Sequence, residues 1–280
     1  MNSPQADGQA TNWVRFAPGK PVLRGVNWGG LRTLYIKEVR RFFKVHMQTV
    51  WAPAITTLLF LAIFTVALGR SGRTVMGVPF ADFLAPGLIV MAMIQNAFAN
   101  SSFSLLVGKI QGNIVDYLMP PLSTSELIAG LIGAAVTRAV LVGGAVWLAM
   151  LLWPGVSVAV RRPELVLYFG LMGSLMLAFL GLLTSLWAEK FDHAAAVTNF
   201  VVTPLSLLSG TFYSIDQLSP AFQAASHANP FFYVISGFRA GFLGVSDSPL
   251  LVGGAALLLI NLALWALCHA LLKRGWKIKA

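Results

Sequence analysis

The chain has 280 residues, 57% of them hydrophobic and only 11% charged. That is less than half the usual charged fraction of a soluble protein and too much apolar side chain for one globular core, so the composition is that of an integral membrane protein. The net charge of +10 does not call for nucleic acid, because the basic residues gather beside apolar runs, where the positive-inside bias of membrane proteins accounts for them. Cys268 is the single cysteine, which excludes an intrachain disulfide and a cysteine metal cluster.

Residues 1 to 28 mix Asn, Gln, Gly and Pro without a continuous apolar core or a small-residue cleavage site. A mobile cytosolic tail over 1–30 is expected, without a cleaved signal peptide, followed by a single transmembrane domain over 31–280. From Leu34 to Met47 the pattern becomes that of an amphipathic helix. At about 100° per residue, Tyr35, Ile36, Val39, Phe42, Phe43 and His46 share one arc, and Lys37, Arg40, Arg41 and Lys44 the opposite one. Such a helix ahead of a span belongs in the inner-leaflet interface, with its cations toward anionic headgroups or toward a cytosolic partner.

A span needs about 20 residues without charge. Lys44 to Arg70, Asp82 to Lys109, Glu164 to Glu189, Asp192 to Asp216 and Asp247 to Lys273 each enclose at least 23 uncharged positions, and a sixth run, Glu126 to Arg161, is interrupted only by Arg138. The expected fold is therefore all-α, with spans near Val50 to Leu68, Phe83 to Val107, Thr124 to Leu152, Leu165 to Trp187, Ala194 to Phe212 and Leu250 to Leu272. Asp216 to Arg239 is long enough but too polar. Its Ser219-Pro220 and Asn229-Pro230 pairs instead read as capped starts of two short helices that re-enter the outer leaflet, the second with Phe231, Val234, Ile235, Phe238 and Phe242 along one face. With both termini inside, 14 basic residues are cytosolic and five (Arg70, Arg73, Arg161, Arg162, Arg239) lie outside.

That orientation puts Gly108 to Glu126 in the cytosol, a polar turn carrying Lys109, Gln111, Asn113, Asp116 and Tyr117, a Pro120-Pro121 stop and a Ser123-x-x-Glu126 helix start. Arg138 lies about 20 Å along its helix from Ser123, where a cation in lipid costs roughly 2.5 to 3.5 kcal/mol. It must face protein or water. Gln95, Asn96 and Asn100 on the antiparallel neighbour lie at similar depth, and Arg138 either pins two helices together or borders a polar path. The small and hydroxylated residues of the fifth span, Asn199 and Ser206 among them, suit a pathway lining and helix packing equally.

No nucleotide-binding loop is present: Gly19-Lys20 runs into Pro21 and Gly108-Lys109 into Ile110. The four histidines are scattered and form no metal-ligand pattern. An integral membrane transferase acting on a lipid-linked substrate would need clustered acids or histidines at one face, whereas the ten acidic residues are widely spaced.

Three stretches in order, EVRRFFKVHMQT (Glu38 to Thr49), NIVDYLMPPLSTSELIAG (Asn113 to Gly130) and NPFFYVISGFRAGFLG (Asn229 to Gly244), resemble the permease subunits of bacterial type-2 ABC exporters, which export drugs, polysaccharides or nodulation signals. The resemblance implies a first coupling helix in the Lys109, Gln111, Asn113, Asp116 and Tyr117 stretch and a second coupling turn at Glu189 to His193 with Asp192. It further implies a connecting helix with Lys37, Arg40, Arg41 and Lys44, an outer cap with Asn229, Pro230, Tyr233 and Arg239, and a pathway bordered by the second and fifth spans. The partners it implies are a separate ATP-binding cassette subunit, which holds the ATP and Mg, a second permease copy and membrane lipid. No catalytic residue or cofactor is implied in this chain. The outer segments are short, so nothing tied to a large external domain in the family carries over.

Overall fold

Charge spacing sets the helix pattern, and prolines set where it breaks. The computed structural model describes residues 25–68 and 74–277. The expected N-terminal tail, the basic residues Arg15, Lys20 and Arg24, the outer Arg70 and Arg73, and Lys279 lie outside the described residues.

Helix α1 (Trp28–Phe43) is followed by a π-helical turn (Met47–Trp51) that runs into α2 (Ala52–Leu68). A two-residue hairpin, β1 (Thr74–Val75) against β2 (Val78–Pro79), leads to α3 (Phe80–Ile110). A short α4 (Val115–Leu118) precedes α5 (Thr124–Leu151), α6 (Pro163–Trp187) and α7 (Phe191–Val197). A second π-helical turn (Thr198–Val202) joins α7 to α8 (Thr203–Leu207), and α9 (Pro220–Ala228), α10 (Pro230–Leu243) and α11 (Leu250–Lys273) complete the chain. Each π turn ends just before a proline, Pro53 or Pro204. Proline has no N–H to give, so the carbonyl four residues earlier is released and the helix widens to compensate.

Five of the helices are long and apolar enough to cross a membrane: Met47–Ala67, Phe80–Ile110, Thr124–Leu151, Pro163–Trp187 and Leu250–Lys273. They match five of the six expected spans to within about one turn. The helix expected over Ala194 to Phe212 begins earlier, at Phe191, and ends at Leu207, beyond which Gly210 takes a left-handed φ of +74°. It is not among those five.

The core is built around α3, whose residues are buried on nearly every side, while α2 and α11 keep broad apolar faces open, as helices beside lipid do. Against α6 the approach is close: a Cβ on Gly181 would lie 2.6 Å from the Phe98 carbonyl, and Ser101 Oγ donates to the Ala178 carbonyl at 2.6 Å. Small residues of this kind let membrane helices pack backbone to backbone. On the far side of α6, α11 is held by Asn261 Nδ2 donating to the Met172 carbonyl at 3.0 Å and by Tyr168 Oη donating to that of Gly254 at 2.9 Å.

Helix α10 departs from its one-sided expectation. Apart from Pro230 and Tyr233 at its start it is buried all round, Phe231 and Phe238 no more than Ser236 and Arg239. Gly237 explains this, since a Cβ there would sit 2.4 Å from the Phe169 ring, so the face that lacks large side chains is pressed against α6.

Candidate functional site

The polar turn after α3 is built from both ends. Gly112, at φ +72°, reverses the chain after α3, and α4 closes over it. Downstream, Ser123 Oγ accepts from the Glu126 N–H at 3.3 Å while Glu126 Oε2 accepts from the Ser123 N–H at 2.7 Å, the reciprocal capping box read from the sequence. The other Glu126 oxygen accepts from the N–H of Asn27 at 2.6 Å, fastening the start of α1 to the start of α5. A Cβ on Gly130 would meet Leu34 at 2.7 Å, and Tyr35 Oη lies 2.8 Å from Thr137 Oγ1, so α1 lies directly along α5.

Within this turn the residues divide in two. Gln111, Asn113 and Asp116 are exposed, and so are Val115, Leu118 and Met119. Tyr117 points the other way: it is buried, its hydroxyl donates to Glu38 Oε1 at 3.1 Å, and Lys37 Nζ stands 3.7 Å from its ring centroid. Burial, and after it the Glu38 carboxylate, push the phenol well above its ordinary pKa, so it stays a donor. Lys109 is also turned inward, donating to the carbonyls of Ser185 at 3.1 Å, Leu186 at 2.8 Å and Ala188. It thereby caps the C-terminus of α6, where a cation suits the helix dipole.

Glu38 is the residue that sequence reasoning missed. It is fully buried, pairs with Arg41 at 2.9 Å and accepts from Ser104 Oγ at 3.0 Å as well as from Tyr117. The signal was present in the spacing, because Glu38 falls midway between Leu34 and Phe42, the two apolar residues of α1 that are buried. Its charge corrects the expected helix faces. Arg41, assigned to the cationic face, turns into the bundle and donates to the Asn100 carbonyl at 2.9 Å and to Ser104 Oγ at 3.0 Å. Phe43 and His46, assigned to the apolar arc, are exposed, as are Lys37, Arg40 and Lys44.

Deeper along α3 the polar line continues. Arg138 donates to Asn96 Oδ1 at 2.8 Å, one of the oxygens expected at its depth. Its Nε and the Nδ2 of Asn100 are buried without a partner among the described residues. Asn96 and Gln95 border a cleft of about 330 Å³ between α2 and α3, walled on the α2 side by Thr56 and Thr57. The expected lining residues of the fifth helix do not join it: Asn199 is exposed elsewhere, and buried Ser206 donates back to the Val202 carbonyl at 2.7 Å.

At the second polar turn Glu189 pairs with Lys277 at 3.1 Å, which holds its carboxyl below the usual range, and Asp192 is exposed in the first turn of α7. At the opposite end of the bundle the NP-x-x-Y-x-x-x-x-x-R pattern resolves into a frame. Asn229 caps α10 through the Phe231 N–H and reaches the Leu205 carbonyl and Ser209 Oγ, each at 3.0 Å. Pro230 fills the first helical position, and Tyr233 Oη donates to the His227 carbonyl at 2.9 Å. Arg239, counted from sequence among the outer basic residues, is fully buried: it pairs with Asp247 at 2.9 Å, donates to the Gly210 carbonyl at 2.7 Å and lies 3.8 Å over the Phe83 ring. Asp247, a span boundary by charge spacing, is thereby drawn into the bundle.

Five membrane-length apolar helices tied together by buried polar side chains make a polytopic membrane protein. Residues 30–243 match the ABC-2 type transporter family, and the chain belongs to it. Its relatives include the inner membrane transport permease YadH of Escherichia coli K12, 37% identical over 89% of this chain and 96% of that one. Nodulation protein J of Neorhizobium galegae is 26% identical over 79% of this chain and 86% of its own length. The same protein from Rhizobium leguminosarum bv. viciae is 24% identical over 79% and 83%.

Proposed function

We propose that this chain is the membrane subunit of an ATP-driven exporter, working as one of a pair of copies with both termini in the cytoplasm, and that a separate cassette ATPase binding ATP and Mg drives it. The observation that carries the reading is the two-sided turn over 111–122: an exposed apolar and acidic face formed by Val115, Asp116, Leu118 and Met119, anchored from behind by Tyr117 on Glu38. Apolar side chains held out beside charge at a membrane surface are unfavourable in water and favourable against a protein partner. Glu189 to His193 forms a second, smaller contact. Residues 31–280 act as one transmembrane unit behind the tail.

In this reading α7, the π turn and α8 make the sixth crossing. The run Phe191–Leu207 is about 25 Å long at 1.5 Å per residue, slightly short of a hydrocarbon core of about 30 Å, and the buried segment Ser209 to Thr211 completes it. Helices α9 and α10 re-enter from the outer side. The cleft bordered by Gln95 and Asn96 is where polar parts of the cargo pass, whether that cargo is a lipid-like amphiphile, a glycan or a drug.

The test is reconstitution with the cognate ATPase subunit. Leu118→Glu together with Met119→Glu is expected to lower transport-coupled ATPase activity by about tenfold or more, as loss of an interface anchor does, while membrane insertion and yield stay at wild-type levels. Unchanged coupling in a correctly assembled complex would remove the turn as the drive point.

Arg138→Ala is expected to lower thermal stability by about 1–3 kcal/mol, because Asn96 Oδ1 loses its donor at a buried position, with cargo preference altered less than yield. Scanning fluorimetry beside a transport assay checks this, and full stability with lost export would make Arg138 a pathway residue.

A further inference from the structure

A second cavity, of about 430 Å³, opens between α5 and α6, and its walls are almost wholly apolar. On α5 it follows Val140, Gly144 and Trp147, and on α6 Pro163, Leu167 and Leu171, so it runs lengthwise along two helices for about 10 Å. Gly144 keeps it open: a Cβ there would meet nothing within 4 Å. Val140 and Leu167 are exposed, so the groove faces outward rather than into the core. One end has the character of a membrane–water boundary. The Trp147 indole donates to the Val158 carbonyl at 3.0 Å, a Trp placement typical of headgroup depth, and the adjoining Arg161 and Arg162 are exposed. Arg161 is fixed by a bond to the Leu243 carbonyl at 3.1 Å. Neither arginine pairs with nearby Glu164, and the Arg162 side chain has no partner among the described residues.

We infer that this groove is a binding site for one anionic phospholipid, an acyl chain lying along Gly144 and its phosphate held by Arg161 and Arg162. An apolar slot with two exposed arginines in the chain between its lining residues Val160 and Pro163 matches the two parts of such a lipid, and guanidinium is the side chain best suited to phosphate. A second copy of the chain fits less well, because an isologous contact along this groove would bring two such arginine pairs toward each other. That the headgroup end lies at the outer leaflet rests on the orientation proposed above, whereas lipid retention by the purified chain does not depend on orientation or on an ATPase.

The test is native mass spectrometry of the full-length permease, released from detergent in the presence of phosphatidylglycerol or of phosphatidylcholine with identical acyl chains. Wild type is expected to retain phosphatidylglycerol with a preference on the order of tenfold, the scale of one charge-assisted contact. Gly144→Phe, which fills the groove, is expected to lose that retained lipid. Arg162→Gln is expected to keep lipid but bind the two headgroups equally, and because it breaks no contact it reports on the site even if the Phe variant misfolds. Equal retention of both lipids by wild type, or undiminished retention by Gly144→Phe, overturns the proposal. So does a shift from dimer to monomer in Gly144→Phe with lipid retention unchanged, which would assign the groove to a second copy.

Discussion

Replacing Asp247 with alanine is expected to destabilise the protein by about 3–5 kcal/mol, the range for breaking a buried pair by removing one partner. Both side chains of the Arg239–Asp247 pair are 1% exposed, so the cation left behind can neither reach water nor find another carboxylate among the described residues. What remains to it is the Gly210 carbonyl and the face of Phe83. The loss spreads beyond the pair, because the Asp247 carboxylate also accepts from Ser214 Oγ at 2.8 Å, whereas the backbone N–H of residue 247 keeps its bond to Ser236 Oγ in the alanine variant. One carboxylate thus ties the segment after α8, helix α10 and the approach to α11. Melting of purified protein in detergent is the measurement. The double change Arg239→Leu with Asp247→Leu is expected to melt well above the single mutant, since no lone charge remains buried. A single mutant that melts with wild type would show that water reaches the pair.

The second large effect is expected from Glu38→Ala. The change strips Arg41, Ser104 and Tyr117 of a common acceptor at once, again about 3 kcal/mol or more for a buried charge partner. Tyr117→Phe removes one of those bonds and is expected to cost about 1 kcal/mol. Since the folded-state phenol is raised above its ordinary value of 10.0 by burial and by Glu38, the stability it contributes is complete below pH 10 and is lost only as pH climbs past that value. The Tyr117 hydroxyl therefore stays a donor through neutrality. On the proposed function Glu38→Ala also uncouples ATPase activity from transport, because α4 loses its backing. Melts and ATPase assays run on both variants separate the two losses. Wild-type coupling in a destabilised Glu38→Ala protein would leave the tether purely structural.

The long apolar helices were legible because a membrane imposes its requirement residue by residue: about 20 positions without charge cannot be hidden in sequence. The Ser123 to Glu126 cap and the Asn229-Pro230 start were legible for a similar reason, since their partners lie within three residues. What could not be read was which way a charge faces. Counting charges made Asp247 a boundary and placed Arg239 on the outer side without revealing that the two are paired, and it gave Glu38 no role because its partners Ser104 and Tyr117 lie 66 and 79 positions away. The helix after Glu189 showed the opposite limit. Its uncharged run is long enough to span, but the helix stops at Leu207, ahead of the left-handed Gly210.

The bonds from Lys109 to the end of α6 have a mechanical meaning. They clamp the exit of one long helix to the exit of another, so the two polar turns that follow, at Gln111 and at Glu189, share a single footing. On the proposed function, a force applied at either turn reaches α3 and α6 together through these bonds. The two widened turns ahead of Pro53 and Pro204 lie on helices the clamp does not touch. On the proposed function, a rearrangement that opens a route is expected to bend at those turns, where the regular α-helical bonding is already interrupted, while α3 and α6 move together.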